Sequence, residues 1–154
     1  MAANDSAPAG EMEFVTFQTG GQNYGLDIVR VREVRRWGPV TPIPHAPAGV
    51  LGVMNLRGAV IPVYDLAERM GLPPTADNPR NVIVVALHDE QTIGLLVESV
   101  ARIISVGRES IQCTSDILAD RASPGITGLI TVDDGMTRVL DLAGVVAPVA
   151  VAAA

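Results

Sequence analysis

The chain has 154 residues, 48% apolar and 18% charged, with a formal net charge of −6. That suits one globular unit or two small fused subdomains, and with 3% aromatics the core must be built from Val, Ile, Leu and Ala. The acidity argues against a nucleic-acid surface and against docking on an anionic membrane face.

Residues 1–12 carry no basic residue and no apolar run, so they read as a disordered lead-in rather than a signal peptide. β-rich runs follow at 14–19, 22–27, 50–56, 59–64, 81–88, 92–98, 103–106, 128–132 and 136–140. Residues 31–36 alternate apolar and charged side chains in the manner of a half-exposed strand. Turn signals stand at Gly20-Gly21, Arg57-Gly58, His88-Asp89-Glu90 and Asp133-Asp134-Gly135. Helical readings are confined to 65–70, ended by Gly71 with Pro73 beyond, and to 141–146 before Pro148. The apolar run 142–154 is too short for a bilayer span of about 20 residues, and Pro148 interrupts it. Cys113 is the single cysteine, so a reducing, cytoplasmic setting is the simple expectation.

The chain repeats itself. Tyr24-Gly25-Leu26 matches Ile93-Gly94-Leu95 at an offset of 69, which also sets Val31 on Val100 and Val34 on Ile103. Gly52 matches Gly128, and Val63-Tyr64-Asp65-Leu66 matches Val139-Leu140-Asp141-Leu142, at an offset of 76. The difference between offsets implies an insertion between the two blocks, around 116–124. Two related small barrels are expected, and Arg57 is expected to have no counterpart in the second.

No Gly-rich phosphate loop and no nucleophile elbow occurs. His45 and His88 are the two histidines, without paired metal spacing, so no metal site and no cofactor is expected. Trp37 reads as a core residue, His45 as a surface residue, and the Pro-rich run 39–47 as a stiff extended connection suited to presentation to a partner. The hairpin around Arg57 sets one cation in an apolar context. A guanidinium fork there is suited to two-point capture of a carboxylate, and a pair with Glu33 beside Val31 is predicted. The basic group at 30–36 is too small for a nucleic-acid surface.

Glu13-Phe14-Val15-Thr16-Phe17, Tyr24-Gly25-Leu26-Asp27-Ile28, Val31-Arg32-Glu33-Val34 and the block from Gly52 through Asn55-Leu56-Arg57-Gly58 to Pro62-Val63-Tyr64-Asp65-Leu66 resemble the chemotaxis coupling protein family, CheW. The resemblance covers about residues 13–146 and is most specific in the first half. It implies an all-β fold of two interlocked five-stranded SH3-like β-barrels with short helices. The corresponding domain would span 13–147, its first barrel at about 13–80 and its second at about 81–147, open to exchange of strands, before a disordered tail at 148–154.

The same resemblance implies a non-catalytic scaffold-adaptor, monomeric when free, that joins chemoreceptor cytoplasmic signalling tips to the regulatory domain of a histidine kinase. Such a protein is cytoplasmic, is recruited to receptor arrays, and makes no direct membrane contact. By this likeness Val31, Glu33, Arg57 and Gly58 would face the receptor, and Val40, Thr41 and Ile43 the kinase. Ile117 stands where relatives often carry an aromatic residue that touches a second kinase molecule, and here the segment reads Gln112-Cys113-Thr114-Ser115-Asp116-Ile117. Two readings from other classes are weighed against it. One is a β-barrel holding a small apolar ligand, which would need a hollow interior. The other is an acid hydrolase sharing a proton between Asp65 and Asp141, although both read better as helix N-caps.

Overall fold

Four tight hairpins set the local order of the fold, and each turns on backbone with positive φ. The computed structural model describes residues 10–113, 125–133 and 135–146. The first hairpin joins β1 (Glu11–Thr19) to β2 (Gln22–Asp27) through Gly20 and Gly21, at φ 59° and 75°. After a 3-10 turn come β3 (Val31–Arg36), β4 (Val50–Leu56) and β5 (Ala59–Asp65), the last two joined through Arg57 and Gly58 at φ 51° and 89°. Helix α1 (Leu66–Arg69) leads to β6 (Val82–His88) and β7 (Gln91–Val97), which turn through Asp89 and Glu90 at φ 48° and 69°. β8 (Ser99–Gly107) and β9 (Gln112–Cys113) precede β10 (Ile126–Val132) and β11 (Gly135–Leu140), whose turn holds Asp133 at φ 54°. Helix α2 (Leu142–Val146) closes the described chain. Positive φ at both central residues gives the turn twist that matches paired strands, which is why Gly and Asp recur there.

The sheets do not follow the halves of the sequence. One runs β3-β6-β7-β5-β4; the other runs β8-β1-β2-β11-β10-β9. Strands β6 and β7 therefore leave the 81–147 half for the first barrel, and β1 and β2 leave the 13–80 half for the second. The repeat explains the exchange. The parallel pairing Val63↔Gly94 of β5 with β7 has its equivalent in Val139↔Gly25 of β11 with β2, at the same offsets of 76 and 69. Val31↔Ala86 likewise corresponds to Val100↔Phe17. Each half supplies a β-hairpin to the other barrel, and the two barrels interlock.

The five-stranded sheet closes through Thr41, which exchanges both backbone hydrogen bonds with Val53 at 2.8 and 2.9 Å. The short strand β9 plays that part in the other barrel, where Gln112 pairs with Leu129. Strand pairing also starts before the boundary expected at residue 13: Glu11 and Met12 already pair with Gly107 and Val106. The lead-in therefore ends before Glu11. Residues 1–9, the 116–124 insertion, Ile117 and the 148–154 tail lie outside the described residues.

β6 shows why the middle of the chain reads as a continuous apolar run. Ile83 and Val85 fill the first barrel with Met54, Ile61, Val63 and Leu96. Val84 and Ala86, on the opposite face of the same strand, join Phe17, Tyr24, Ile93 and Leu95 in a shared core between the barrels. Phe14, Ile104, Ile130 and Val139 fill the second barrel. Trp37 packs against the first-barrel core as expected. The filled interiors leave no room for the ligand-holding barrel weighed above. A concavity of about 420 Å³ is an open cleft lined partly by Met12, Asp27, Arg30 and His88.

Tyr24 lies in the shared core, stacked at 6.5 Å on Phe17, with its hydroxyl donating to Gln22 Oε1 at 2.9 Å. Burial raises its pKa above the ordinary 10.0, with the Arg138 guanidinium over its ring acting in the opposite direction. The folded state therefore favours the neutral phenol. That contribution is complete below the unfolded pKa of about 10 and is lost as pH climbs through the folded value. A Tyr24→Phe variant should accordingly lose less stability than wild type between neutral pH and pH values above about 10, measured by urea unfolding.

Candidate functional site

Arg57 and Glu33 meet at the mouth of the first barrel. A bulge between Val31 and Glu33 shifts the register of β3 against β6, so Glu33 falls opposite Val85 and Val31 opposite Ala86. Val31 thus packs half-buried on the shared core. Glu33 reaches the β4–β5 turn, where Arg57 Nη1 donates to Oε2 at 2.6 Å and Nη2 to Oε1 at 3.2 Å. The predicted two-point pair is present. Arg35 approaches the same carboxylate at 3.6 Å. Arg57 remains 72% exposed and Glu33 25%, so the pair contributes only about 0–1 kcal/mol to folding. It fixes a direction at the surface more than it holds the fold.

Gly58 is explained by the turn itself. Its φ of 89° disfavours any side chain, its N–H donates to Asn55 Oδ1 at 3.0 Å, and a Cβ there would meet nothing within 4 Å. Gly58→Ala should therefore cost about 1 kcal/mol in urea unfolding, from torsion alone. A cost well above that would mean that the turn packs against something.

Of the residues assigned to the second surface, Val40 is half-buried against the first-barrel core, Thr41 is exposed and bridges Val53, and Ile43 is 44% exposed. His45 is exposed at φ 61°, in the Pro-rich connection. Ile117 lies outside the described residues, so the geometry of its segment is limited to Gln112 and Cys113 of β9. The fold does relate these two regions: Thr41 beside β4 and Gln112 beside β10 are equivalent positions of the repeat.

No second Arg stands in the matching turn, and the residue in its place carries the opposite charge. Asp133 occupies the equivalent turn at φ 54°, and Arg102 occupies the position equivalent to Glu33. Arg102 Nη2 donates to Asp133 Oδ2 at 2.9 Å. The Arg102–Asp133 pair escaped a sequence reading, although the offset of 69 sets Arg102 on Glu33 and could have found it. The N-cap reading of Asp65 and Asp141, preferred over an acid dyad, is met. Asp65 is 1% exposed and its oxygens accept from Ala67 N–H at 3.1 Å, Thr75 N–H at 2.8 Å and Thr75 Oγ1 at 2.6 Å. Asp141 caps α2 through Ala143 N–H at 3.2 Å. Each carboxylate is committed to its own helix start.

Among the described residues no group of three or more His, Cys, Asp or Glu could hold a metal ion, and no helix is long and apolar enough to cross a membrane. What the surface offers is an oriented ion pair beside apolar positions, suited to holding a partner protein.

Comparison with known proteins agrees with that chemistry. The CheW-like domain family matches residues 13–149. The chain is 41% identical to the chemotaxis protein CheW of Rhizobium meliloti over 133 residues, 86% of each protein. It is equally similar, 41% over 133 residues and 86% of each, to a probable chemotaxis protein CheW of Rhizobium etli. Among solved structures it resembles the scaffolding protein TtCheW of Thermoanaerobacter tengcongensis, with a TM-score of 0.77 and 30% identity over 84% of this chain and 88% of that one.

Proposed function

The chain belongs to the CheW-like domain family and is a non-catalytic coupling scaffold of chemotaxis signalling; on that premise we propose that it joins chemoreceptor signalling tips to the regulatory domain of a histidine kinase. The observation that carries the receptor side is the Glu33–Arg57 fork, held two-point yet solvent-exposed at the barrel mouth, near half-buried Val31. A pair worth so little to folding is free to be spent on recognition, where a fixed guanidinium sets register and partner choice. Val31, Glu33, Arg57 and Gly58 form the receptor side of this reading. Val40, Thr41 and Ile43 form the kinase side, with Ile117 as a further apolar contact to a second kinase molecule. The exposed Ile43 supports the kinase assignment, because it stands on a stiff Pro-rich connection anchored at Thr41. The protein would then sit in the cytoplasm and gather beneath membrane-bound receptors through them alone.

Recovery from native lysate, with partners identified by mass spectrometry, tests this reading. Arg57→Asp should weaken receptor recovery at least about tenfold, about 1.4 kcal/mol, keep the kinase, and leave the melting temperature within a few degrees of wild type. Ile43→Asp should do the reverse. If wild type recovers neither class, or if Arg57→Asp loses both together, the assignment of the two surfaces fails.

A further inference from the structure

Cations of this acidic chain share their clefts with carboxylates. Arg30 and His88 border one together with Asp27 and Asp89. Arg102 borders a second with Asp133, and Arg108 a third with Glu11 and Glu13. A further cleft, of about 330 Å³, breaks the pattern: Arg69 and Arg138 both border it, and among the described residues no carboxylate does. Its size falls at the lower end of the ~300–1,000 Å³ of small-molecule sites. The repeat demands neither cation, since at the offset of 76 Arg69 falls on Val145 and Arg138 on Pro62. Arg69 is fixed in place: Nε donates to Val145 O at 2.6 Å and Nη1 to Ala48 O at 3.1 Å, and the guanidinium lies 5.7 Å from the Tyr64 ring centroid. Arg138 lies over the Tyr24 ring at 5.8 Å and forms no ion pair among the described residues. Gln22 Oε1 accepts from the Tyr24 hydroxyl at 2.9 Å, which leaves the amide NH2 as a donor.

From these observations we propose that the Arg69–Arg138 cleft binds a small organic dianion, a phosphomonoester or a dicarboxylate. Two guanidinium groups match two negative charges and give them directional, charge-assisted hydrogen bonds. The Gln22 amide adds a neutral donor, and Met70 with the buried Ile126 supplies an apolar wall for the carbon body of the ligand. The tyrosine faces hold both cations in position before a ligand arrives, so little ordering is left for binding to supply. The cleft also joins the two barrels. Gln22, Tyr24 and Arg138 belong to the six-stranded sheet, whereas Arg69 lies on α1, which follows β5 of the five-stranded sheet. A bound dianion therefore bridges elements of both. None of the described residues assigned above to the receptor or the kinase borders this cleft, so the ligand acts on the scaffold without displacing either partner.

Calorimetric titration and thermal unfolding of the full chain test this with phenyl phosphate and with malonate. Sodium chloride at matched ionic strength is the reference, since screening by itself changes exposed charge interactions. Wild type should bind one equivalent of at least one of the two dianions and melt several degrees higher in its presence. Binding of phenyl phosphate alone assigns a phosphomonoester, binding of malonate alone a dicarboxylate, and binding of both the shared dianion chemistry. Arg138→Gln removes the charge and should weaken binding at least about tenfold. Arg102→Gln, at the ion-paired cation of the second barrel, should bind as wild type does. Should Arg138→Gln fail to fold, NMR titration of the nitrogen-labelled wild type decides, with saturable shifts gathered at Arg138 Nε–H, the Gln22 NH2 and the Gly71 N–H. Stabilisation no greater than in sodium chloride, unchanged affinity in Arg138→Gln, or shifts spread over all surface cations overturns the proposal.

Discussion

Gly52→Ala is expected to lower the unfolding free energy by about 3 kcal/mol or more. Gly52 lies at φ 149°, and a Cβ on it would fall 2.0 Å from Thr41 O, 2.7 Å from Thr41 C and 2.9 Å from Pro42 Cα. All three are backbone atoms, which cannot swing aside as a flexible side chain would. The methyl must therefore part β4 from Thr41 and break the two hydrogen bonds that close the first barrel. Urea unfolding measures the loss, and Gly58→Ala supplies the control for positive φ without close approach. Equal costs for the two would mean that backbone torsion, not closure, is what Gly52 provides. Because Val40 and Ile43 flank the closure, Gly52→Ala should also weaken whatever binds that segment.

The second large effect is expected at Asp65. Asp65→Ala should cost about 3 kcal/mol, because the N–H groups of Ala67 and Thr75 and the Thr75 hydroxyl all lose their acceptor in a site that is 1% exposed. Asp65→Asn keeps one acceptor oxygen but sets an NH2 against a backbone N–H, so it should recover only part of the loss. Asp141→Ala, at the equivalent but less buried cap with its single bond to Ala143, should cost about 1 kcal/mol. Differential scanning calorimetry on the three variants gives the ranking. Asp65→Ala and Asp141→Ala with equal effects would show that capping alone matters and that the bonds to Thr75 add nothing.

The repeat is legible in part from the sequence. Gly25, Gly94 and Gly128 stand where a neighbour leaves little room for a Cβ, and Gly52 adds a positive φ, so the matches of Gly25 with Gly94 and of Gly52 with Gly128 show through differing side chains. Gly25 meets Thr137 and Phe14 at 3.2 and 3.4 Å, and Gly94 meets Ile83 and Val63 at 3.0 and 3.4 Å. The charge pairs do not match as residue types. Glu33 with Arg57 stands opposite Arg102 with Asp133, an exchange of charges that keeps the interaction and hides the sequence match. β9 escaped a sequence reading because two residues carry no period. β8 runs from Ser99 rather than 103: Ser99 and Val100 pair with Gln18 and Phe17, Ala101 and Arg102 fall in a bulge, and Thr16 Oγ1 takes the place of the ladder by bonding both Arg102 N–H and Arg102 C=O.

By itself the sequence determined what is local: the alternation and apolar runs that make strands, the Gly and Asp residues that permit positive φ in the hairpins, the Asp caps of α1 and α2, and a family motif around Arg57. Only the tertiary structure decided which strands share a sheet, that β1–β2 and β6–β7 change barrels, and that the two charge pairs oppose each other in sign. The reason is physical. A strand's side-chain period says which faces are buried, but its hydrogen bonds are satisfied by any partner of suitable register, and that choice rests on contacts far away along the chain.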